Sequence, residues 1–335
     1  DELAITCSKD SVSVWQLRSG SVIQSYRNNV SLIFTVCGNH SILCPQENKP
    51  YLHSYLLNKE SVQWKAPLSE KLISIACSAD GRYCCAGGSS GNAYLWDVYT
   101  GELRSQWQAN FNEVLGISFL GSSSELLVTS GKDSMVHCWT LGQILTQKND
   151  VKPFRSWSGH SLPVTSIHCT NSRIISSSLD HTCKIWSMTS SDPISSIIFP
   201  SAITSMTMDS SESMLFAGSN DGKIYAVNLL NSSINIGEQV FIGHTKPVTS
   251  LSTSIDGTIL LSTSIDGTSK VWDTKSFQLI RNLTHHVGPV TFCKIGLFPR
   301  CLFEDNTMKT IQEPNPMFKK YSSQADIKVA QPSTI

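Results

Sequence analysis

Two histidines, His160 and His244, carry the imidazole group that proteins often use for acid–base catalysis and for binding transition metals. Asp180 follows the first and Asp266 follows the second, after about twenty residues in each case. A histidine beside a carboxylate can move protons, and several such groups together can hold a metal ion. At His160 and His244, however, each aspartate lies six residues before a tryptophan, and this spacing favours a structural role over a catalytic or metal-binding one.

A tryptophan at constant spacing gives these aspartates a structural explanation. In three segments an aspartate lies six residues before a tryptophan, a distance that spans one tight turn and most of a β-strand. The pairs are Asp133 and Trp139, Asp180 and Trp186, and Asp266 and Trp272. This spacing predicts a buried, hydrogen-bonded set of histidine, hydroxyl, aspartate and tryptophan, in which His244 pairs with Ser262 or Ser264. Each bond contributes roughly 1 kcal/mol, and a buried partner left unpaired costs more.

Residues 243–273 show what kind of repeat contains these pairs. Gly243-His244 opens the segment, the heptapeptide STSIDGT occurs at 252–258 and at 262–268, and Trp272-Asp273 closes it. Each heptapeptide carries an Asp-Gly turn between short strands rich in Ile, Leu, Ser and Thr. A Gly-His start and a Trp-Asp end about thirty residues later resemble a WD40 repeat, which is one four-stranded blade of a β-propeller.

Two positional marks recur at the period of about 40 to 45 residues that this repeat has. The third strands end at Trp15, Tyr55, Trp96, Trp139, Trp186, Val227 and Trp272. The first strands begin near Val30, Leu72, Val114, Val164, Ile203, Val248 and Val290. Both series have seven members, so we predict an all-β, seven-bladed WD40 β-propeller.

The two ends of the chain together supply one of these blades. Leu3–Trp15 has the pattern of second and third strands without a first strand, whereas Pro-Val-Thr at 289–291 opens a blade that no tryptophan-ended strand follows. We predict that Pro289–Ile295 is the first strand of the N-terminal blade, which closes the ring and removes two exposed sheet edges. The propeller then covers residues 1–302, and residues 303–335 form an extended or disordered C-terminal tail.

The composition argues against several classes of function. The chain has 26 basic and 26 acidic residues, and this balance disfavours a broad electrostatic surface for nucleic acid or membrane. No run of 18 apolar residues is present, so we predict no transmembrane helix. The 11 cysteines have no Cys-x-x-Cys spacing, so we expect buried, reduced thiols. Gly87–Gly91 opens no helix and predicts a hairpin turn rather than a phosphate-binding loop.

The residues expected to line the central channel offer no catalytic cluster. The first strands that begin at residues 72–74, 114–116, 164–166, 203–205 and 248–250 supply apolar residues and hydroxyls there, and no group of carboxylates or histidines. We therefore expect a protein that is not an enzyme and that uses no cofactor or metal. The alternative from another class is a propeller enzyme, which requires polar or metal-binding residues that converge on the channel.

Candidate partner-binding residues lie where the chain departs from the repeat. Gln143–Ser158 and Leu230–Val240 are insertions, each either a tolerated surface loop or a partner-docking loop. The tail has scattered apolar residues without a helix or strand period. His285-His286 stands just before the closing strand, and we predict a solvated loop there, with a partner contact as the alternative. The candidates are Lys148, Lys152, Arg155, Ile234, Ile236, His285, His286, Met317, Phe318 and Tyr321.

Several segments together resemble the WD repeat-containing protein 18 family. They are Trp96-Asp97 with Thr100–Leu103, Gly131–Asp133 before Trp139, Ser177–Asp180 with Lys184–Trp186, Thr207–Asp209, the blade Gly218–Leu229 that lacks tryptophan, and the final Gly288–Thr291. The resemblance runs through most of residues 1–297. The WD segments are shared by many proteins, and the last two segments are the more specific ones.

The resemblance implies a scaffold protein of the nucleus, in nucleolus and nucleoplasm, within a complex often called the rixosome. Its partners there would be an armadillo/HEAT-type subunit and a larger helical-repeat subunit. The complex would act in maturation of the large ribosomal subunit, including removal of an internal spacer from precursor rRNA. It would also help to position the ATPase midasin on the pre-large-subunit particle.

Two further roles are linked to the family, namely heterochromatin silencing and replication licensing. The sequence leaves direct contact with RNA open and gives no sign of a membrane partner. Within the binding class, the alternative is a substrate receptor or adaptor of another complex, such as a ubiquitin ligase. That alternative requires a docking face of its own on the same propeller.

Overall fold

Seven four-stranded antiparallel sheets make up the fold in this computed structural model. Neighbouring strands in each sheet are consecutive in sequence, except where the last described strand joins the first. The seven-bladed, all-β propeller predicted from the repeats is thereby confirmed. The structure describes residues 2–9, 11–27, 33–37, 41–46, 51–56, 62–121, 123–146, 151–170, 173–230, 236, 239–286 and 288–297.

The blades are numbered along the chain, and each is given from its first, inner strand to its fourth, outer strand. Blade 1 consists of β28 (Val290–Leu297), β1 (Glu2–Ser8), β2 (Ser11–Gln16) and β3 (Val22–Arg27). Blade 2 consists of β4 (Thr35–Cys37), β5 (Ser41–Pro45), β6 (Tyr51–Leu56) and β7 (Val62–Pro67). Blade 3 consists of β8 (Leu72–Cys77), β9 (Tyr83–Gly88), β10 (Asn92–Asp97) and β11 (Leu103–Gln108).

The remaining four blades follow the same order. Blade 4 consists of β12 (Val114–Leu120), β13 (Leu126–Gly131), β14 (Val136–Thr140) and β15 (Arg155–Trp157), with helix α1 (Leu141–Thr146) before β15. Blade 5 consists of β16 (Val164–Cys169), β17 (Ile174–Ser178), β18 (Thr182–Trp186) and β19 (Pro193–Ile198). Blade 6 consists of β20 (Ile203–Met208), β21 (Met214–Ser219), β22 (Ile224–Asn228) and β23 (Val240–Phe241). Blade 7 consists of β24 (Val248–Thr253), β25 (Ile259–Ser264), β26 (Ser269–Asp273) and β27 (Leu279–Leu283).

The duplicated heptapeptide of blade 7 forms two tight turns, as its sequence predicts. Gly257 and Gly267 have φ angles of +70° and +86°, a left-handed conformation that glycine adopts without steric cost. The Gly257 amide donates to the carbonyl of Ser254 at 3.0 Å, and the Gly267 amide donates to that of Ser264 at 3.2 Å. These turns join β24, β25 and β26 as neighbouring antiparallel strands.

The closing strand β28 pairs with β1 over almost its whole length. The register runs from Glu2 opposite Leu297 to Cys7 opposite Phe292. Val290, Cys293 and Ile295 of this strand are buried. The predicted closure of the ring by the two chain ends is thus confirmed, because every first strand among the seven blades now has a partner in its own sheet.

Hydroxyl groups near the start of the first strands link one blade to the next. Thr165 of blade 5 donates to the carbonyl of Ile203 in blade 6 at 2.9 Å, and Thr249 of blade 7 donates to that of Val290 in blade 1 at 2.7 Å. Equivalent bonds join Ser74 of blade 3 to Val114 of blade 4 and Thr204 of blade 6 to Val248 of blade 7. A register shift at the start of several first strands accompanies these bonds. The inner strands are therefore held together by polar contacts as well as by packing.

Two details of the fold differ from the predictions. The first strand of blade 2 was expected near Val30, which lies outside the described residues, and the described strand begins at Thr35. The insertion 143–158 contains part of α1, where no helix was expected, and its Ile144 is buried against Trp107 and Trp139. Part of this insertion therefore packs on the propeller.

No helix among the described residues is long enough to cross a bilayer.

The cysteines in the described ranges form no disulfide bonds with one another and mainly serve packing. Eight of these ten are buried, and Cys77 and Cys169 are half-buried. Burial raises the pKa of Cys138 and of Cys293 to about 12, so both thiols stay protonated at neutral pH. A protonated thiol is a weak nucleophile and a weak metal ligand. This agrees with the predicted structural role of the cysteines.

Candidate functional site

The residues that could do chemistry in blade 7 form one continuous line of hydrogen bonds, from a tryptophan to an aspartate. Trp272 Nε1 donates to Ser262 Oγ at 2.8 Å, His244 Nε2 lies 2.8 Å from the same hydroxyl, and His244 Nδ1 lies 2.9 Å from Asp266 Oδ2. We call these four residues a tetrad, and the residue that supplies its hydroxyl is Ser262. The other candidate, Ser264, donates to the carbonyl of Lys246 instead.

The electrostatics of this tetrad fix where its protons lie. Burial lowers the pKa of His244, although the hydrogen bond and charge of Asp266 act in the opposite direction. Burial by itself would raise the pKa of Asp266, but hydrogen bonds from Thr268 and His244 bring it below its ordinary value. A neutral His244 next to a carboxylate donates from Nδ1 and accepts at Nε2, so every polar group of the tetrad is satisfied.

Blade 5 repeats the arrangement with the same geometry. Trp186 Nε1 donates to Ser176 Oγ at 2.8 Å, and His160 bridges Ser176 and Asp180 at 2.7 Å and 2.9 Å. The side chains of His160 and His244 have no exposed surface. A substrate cannot reach either imidazole, so both sites hold the blades together rather than react.

Blade 1 contains a third histidine of this kind, which the sequence analysis assigned wrongly. His286 Nε2 lies 2.7 Å from Thr6 Oγ1, and Trp15 Nε1 donates to the same hydroxyl at 2.7 Å. His286 is only 8% exposed, so the prediction of a solvated loop is wrong for this residue. The loop before β28 stands where Gly-His occurs in blades 5 and 7, and the ring closure brings it against the N-terminal strands. Its neighbour His285 is exposed.

Blade 4 keeps the aspartate and the tryptophan but replaces the histidine. Trp139 Nε1 donates to Thr129 Oγ1 at 3.0 Å, and Asp133 accepts hydrogen bonds from the Asn110 side chain at 3.0 Å and from the Phe111 amide at 2.8 Å. Asp133 and Trp139 thus occupy the predicted positions, but asparagine stands where the histidine of the other tetrads lies. The substitution could have been noticed from the sequence, since Asn110 precedes Asp133 by about the same spacing as His244 precedes Asp266.

Blade 3 uses a glutamate that the sequence analysis did not single out. The carboxylate of Glu70 accepts hydrogen bonds from the Ser90 amide, the Ser90 hydroxyl and the Tyr94 hydroxyl, each at 2.7 Å. Burial opposes ionisation, yet these bonds together lower the pKa of Glu70. Ser90 belongs to the turn Gly87–Gly91, which joins β9 to β10 as the predicted hairpin. The glutamate anchors this turn.

The central channel is lined by the first strands of all seven blades. The lining is mainly apolar groups and hydroxyls, with His168 from β16 and Lys294 from β28 as its ionisable nitrogen groups in the described ranges. Burial lowers the pKa of His168 to about 4, so this side chain is neutral at physiological pH. No carboxylate belongs to the described lining. The channel therefore lacks an acid–base pair among the residues that the structure places there.

The predicted partner-binding residues differ in how far they are exposed at the surface of the propeller. Lys152 and His285 are exposed, and Arg155 is half-buried at the start of β15. Ile236 packs against the apolar core of blades 5 and 6, so this part of its insertion does not project from the propeller. His286 belongs to a tetrad, as described above. Five candidates lie outside the described residues together with the tail 303–335, namely Lys148, Ile234, Met317, Phe318 and Tyr321.

Comparisons with known proteins agree with this geometry. The chain matches the WD domain, G-beta repeat family over residues 63–97, 151–187 and 237–273. The last two segments contain the complete tetrads of blades 5 and 7. The chain is 34% identical over 327 residues to WD repeat-containing protein 18 of Danio rerio, which covers 92% of this chain and 75% of the relative. The chain belongs to the WD repeat-containing protein 18 family.

Other members and more distant relatives match over the same length. WD repeat-containing protein 18 of Homo sapiens is 32% identical over 327 residues, covering 92% of this chain and 74% of the relative. Pre-rRNA-processing protein IPI3 of Yarrowia lipolytica is 28% identical over 323 residues, covering 87% of this chain and 75% of the relative. Membership of the WD repeat-containing protein 18 family thus extends across the propeller and is not confined to the generic repeats.

Proposed function

We propose that this chain is a non-catalytic scaffold subunit of a nuclear complex that matures the large ribosomal subunit. The observation that carries the proposal is the similarity, over 87% of the chain, to a relative named for pre-rRNA processing. Its place of action would be the nucleolus and nucleoplasm, because precursor rRNA is processed there.

The geometry of the propeller supports a scaffold role. The described histidine–aspartate pairs have inaccessible imidazoles, and the described lining of the channel includes no carboxylate. Enzymes need reactive groups that meet at an accessible point. A rigid ring with exposed loops on both faces is instead suited to hold other proteins in a fixed arrangement. The exposed Lys152 and His285 remain candidates for such contacts.

The proposed partners follow from the family. They are an armadillo/HEAT-type subunit, a larger helical-repeat subunit, the pre-large-subunit particle and the ATPase midasin. We further propose that the propeller domain comprises residues 1–302 and that residues 303–335 form a separate extension. The insertion 143–158 offers one part of the docking surface, through the exposed Lys152 before β15.

The experiment that tests this function is affinity purification of the tagged protein from nuclei, followed by mass spectrometry and a sucrose gradient. We expect co-migration with pre-large-subunit particles, helical-repeat subunits and midasin. Depletion of the protein should then increase precursor rRNA that retains the internal spacer, measured by Northern blotting. Recovery with cullin adaptors and normal precursor rRNA after depletion would show that the chain serves another complex.

A further inference from the structure

A cavity of about 500 Å³ lies between blades 3 and 4. One wall is the end of β11 with the loop that follows it, and the other wall is β14 with the segment just before β15. The side chains that matter for its chemistry are Trp107, Asn110, Phe111, Trp139, Val151 and Pro153. We call this cavity the blade 3–4 groove.

The groove lies where blade 4 departs from the Gly-His pattern. The Phe111 amide donates to Asp133 at 2.8 Å, just as the Ser161 amide donates to Asp180 at 3.1 Å in blade 5. The residues that precede these amides are therefore equivalent. Ala109-Asn110 consequently stands in the position that Gly-His occupies in blades 5 and 7.

This difference has a steric consequence. A Cβ atom at Gly159 would lie 2.6 Å from Cη2 of Trp186, and the corresponding distance in blade 7 is 2.8 Å. The tryptophan ring of a complete tetrad therefore lies directly over a glycine. Ala109 carries a methyl group at this position, so the ring of Trp139 cannot lie over the backbone in the same way. Space remains between the two blades as a result.

Two buried polar atoms next to this space lack a hydrogen-bond partner. Asn110 is 3% exposed, and its amide nitrogen donates to Asp133 while its Oδ1 atom has no donor. Trp107 is 5% exposed, and its Nε1 atom has no acceptor. A buried polar group without a partner is destabilising. Neither atom has exposed surface, so a ligand pairs with them only when the side chains around the groove move apart. An extended peptide backbone then brings one donor and one acceptor at each residue.

The walls and rim of the groove indicate the remaining chemistry of the ligand. Trp107 and Trp139 meet edge to face with ring centroids 5.9 Å apart, and the Phe111 ring at the rim is 80% exposed. Aromatic surfaces of this kind favour an aromatic side chain. Lys152, between two lining residues, is exposed and forms no ion pair with another described residue, and the described lining has no carboxylate. The Asp133 carboxylate beside the lining is already bonded to Asn110 and to the Phe111 amide, so Lys152 is the group that can pair with an acidic residue of the ligand.

We propose that the blade 3–4 groove binds an extended segment of a partner protein in which an aromatic residue is flanked by acidic residues. The aromatic side chain fills the space that Ala109 opens. The backbone beside it pairs with Asn110 Oδ1 and Trp107 Nε1, and the acidic residues lie near Lys152. This inference does not rest on the role in ribosome maturation, because it concerns the chemistry of one groove on the chain.

The test uses a random 12-residue peptide library displayed on phage and selected on the purified whole chain. Affinities of the enriched peptides are then measured by fluorescence polarisation. We expect enriched peptides with Phe, Tyr or Trp next to Asp or Glu. The A109G/N110H double variant restores the Gly-His pair of blades 5 and 7 and closes the groove, so it should bind these peptides at least about tenfold more weakly.

Two surface substitutions keep the test valid if the double variant does not fold. Phe111→Ala removes an exposed aromatic ring, and we expect about tenfold weaker binding. Ile242→Ala, which removes an equally exposed side chain of the loop between blades 6 and 7, is its control and should leave affinity unchanged. Lys152→Glu should weaken binding of the acidic peptides, whereas Lys246→Glu on another exposed loop should not.

Three results would overturn the proposal. The first is a lack of enrichment on the whole chain. The second is enrichment of peptides without the aromatic and acidic residues, or of peptides that the A109G/N110H and Phe111→Ala variants bind as well as the original chain does. The third is a dimer, measured by light scattering, that Phe111→Ala converts into a monomer, since the groove would then hold a second copy of this chain.

Discussion

At the scale of single residues, the side chains with the greatest chemical potential are used internally. His160, His244 and His286 each meet a hydroxyl that also accepts from a tryptophan indole. Such a shared hydroxyl is the point on which a tetrad depends, because it donates to the imidazole and accepts from the indole at once. Removing it leaves two buried groups unpaired, whereas removing an exposed hydroxyl leaves none.

The hydroxyl of Ser262 provides the first prediction. Ser262→Ala removes the acceptor of Trp272 Nε1 and the donor to His244 Nε2, both in the interior of blade 7. We expect a loss of roughly 2–4 kcal/mol in the free energy of unfolding, measured by urea denaturation. Ser276→Ala, which affects an exposed turn of the same blade, should cost less than about 1 kcal/mol. Equal effects of the two substitutions would contradict the tetrad assignment.

The second prediction concerns how stability depends on pH, because the pKa values of five histidines are all shifted in the same direction. Burial lowers the pKa of each, and they are His53, His137, His160, His168 and His244. Their unfolded pKa is about 6.5, so below that pH the unfolded chain binds protons that the folded chain does not. The stability that neutral histidines provide is therefore complete above about pH 6.5 and is lost as pH falls toward their folded pKa values.

We therefore expect the midpoint temperature of unfolding to fall steadily from pH 7 to pH 5 and to change little between pH 7 and pH 8. Differential scanning fluorimetry over this range measures it. His244→Gln, which has no group that titrates here, should unfold at a lower temperature at pH 7 and lose less on acidification. A midpoint that rises from pH 7 to pH 5 would contradict the assignment of buried, neutral histidines.

At the scale of the elements, the closing strand combines two kinds of interaction. β28 adds a backbone ladder to β1, and the loop before it adds His286 to the tetrad of Thr6 and Trp15. The Ser11 hydroxyl lies 3.4 Å from His286 Nδ1, in the region where an aspartate binds the histidine in blades 5 and 7. The ends of the chain are thus joined by side chains as well as by strand pairing.

His286 provides the third prediction. His286→Ala leaves Thr6 Oγ1 without its imidazole partner and opens a cavity at the closure, so we expect a loss of about 2–3 kcal/mol in the free energy of unfolding. His285→Ala changes the neighbouring exposed residue and should cost less than about 1 kcal/mol. Thermal and urea unfolding of both variants measure the difference. Similar losses at both positions would rule out a special role of His286 in ring closure.

At the scale of the whole molecule, closure makes each blade depend on its two neighbours. The apolar clusters lie between blades, as in the one that joins Phe216 and Phe241 of blade 6 to Leu260 and Trp272 of blade 7. The interblade hydroxyl bonds add to this coupling. Because each interface is shared between two blades, loss of the inner strand β28 exposes the edge of β1 and part of the two adjacent apolar cores.

The fourth prediction tests the limits of this ring. A chain that ends at residue 302 retains β28 and should unfold at the temperature of the whole chain, within about 2 °C. A chain that ends at Gly288 lacks β28 and the buried Val290, Cys293 and Ile295. We expect this loss to be comparable with the roughly 5–15 kcal/mol by which domains are stable, so the shorter chain should aggregate. Circular dichroism and size-exclusion chromatography distinguish the two results.

The sequence alone determined the number of blades, the order of strands, and the histidine, aspartate and tryptophan of two tetrads. It did so because Asp-Gly turns, Gly-His pairs and Trp-ended strands are local signals with a fixed spacing, as in residues 243–273. The same locality let the two halves of blade 1 be matched, since Pro-Val-Thr at 289–291 lacked a following tryptophan. The sequence could not decide whether Ser262 or Ser264 supplies the hydroxyl of the tetrad, because the two residues lie two positions apart on β25 and so point to the same face of the sheet.

Only the tertiary structure decided the role of His286, the anchoring by Glu70 and the groove beside Asn110. Each depends on contacts between residues distant in sequence, such as the 280 positions that separate Thr6 from His286. The groove lies between residues of two blades, among them Ala109 and Trp139, and no spacing in the sequence reveals how closely these pack. Local patterns specify blades, whereas the packing of one blade on the next decides which residues are buried and which surfaces stay open.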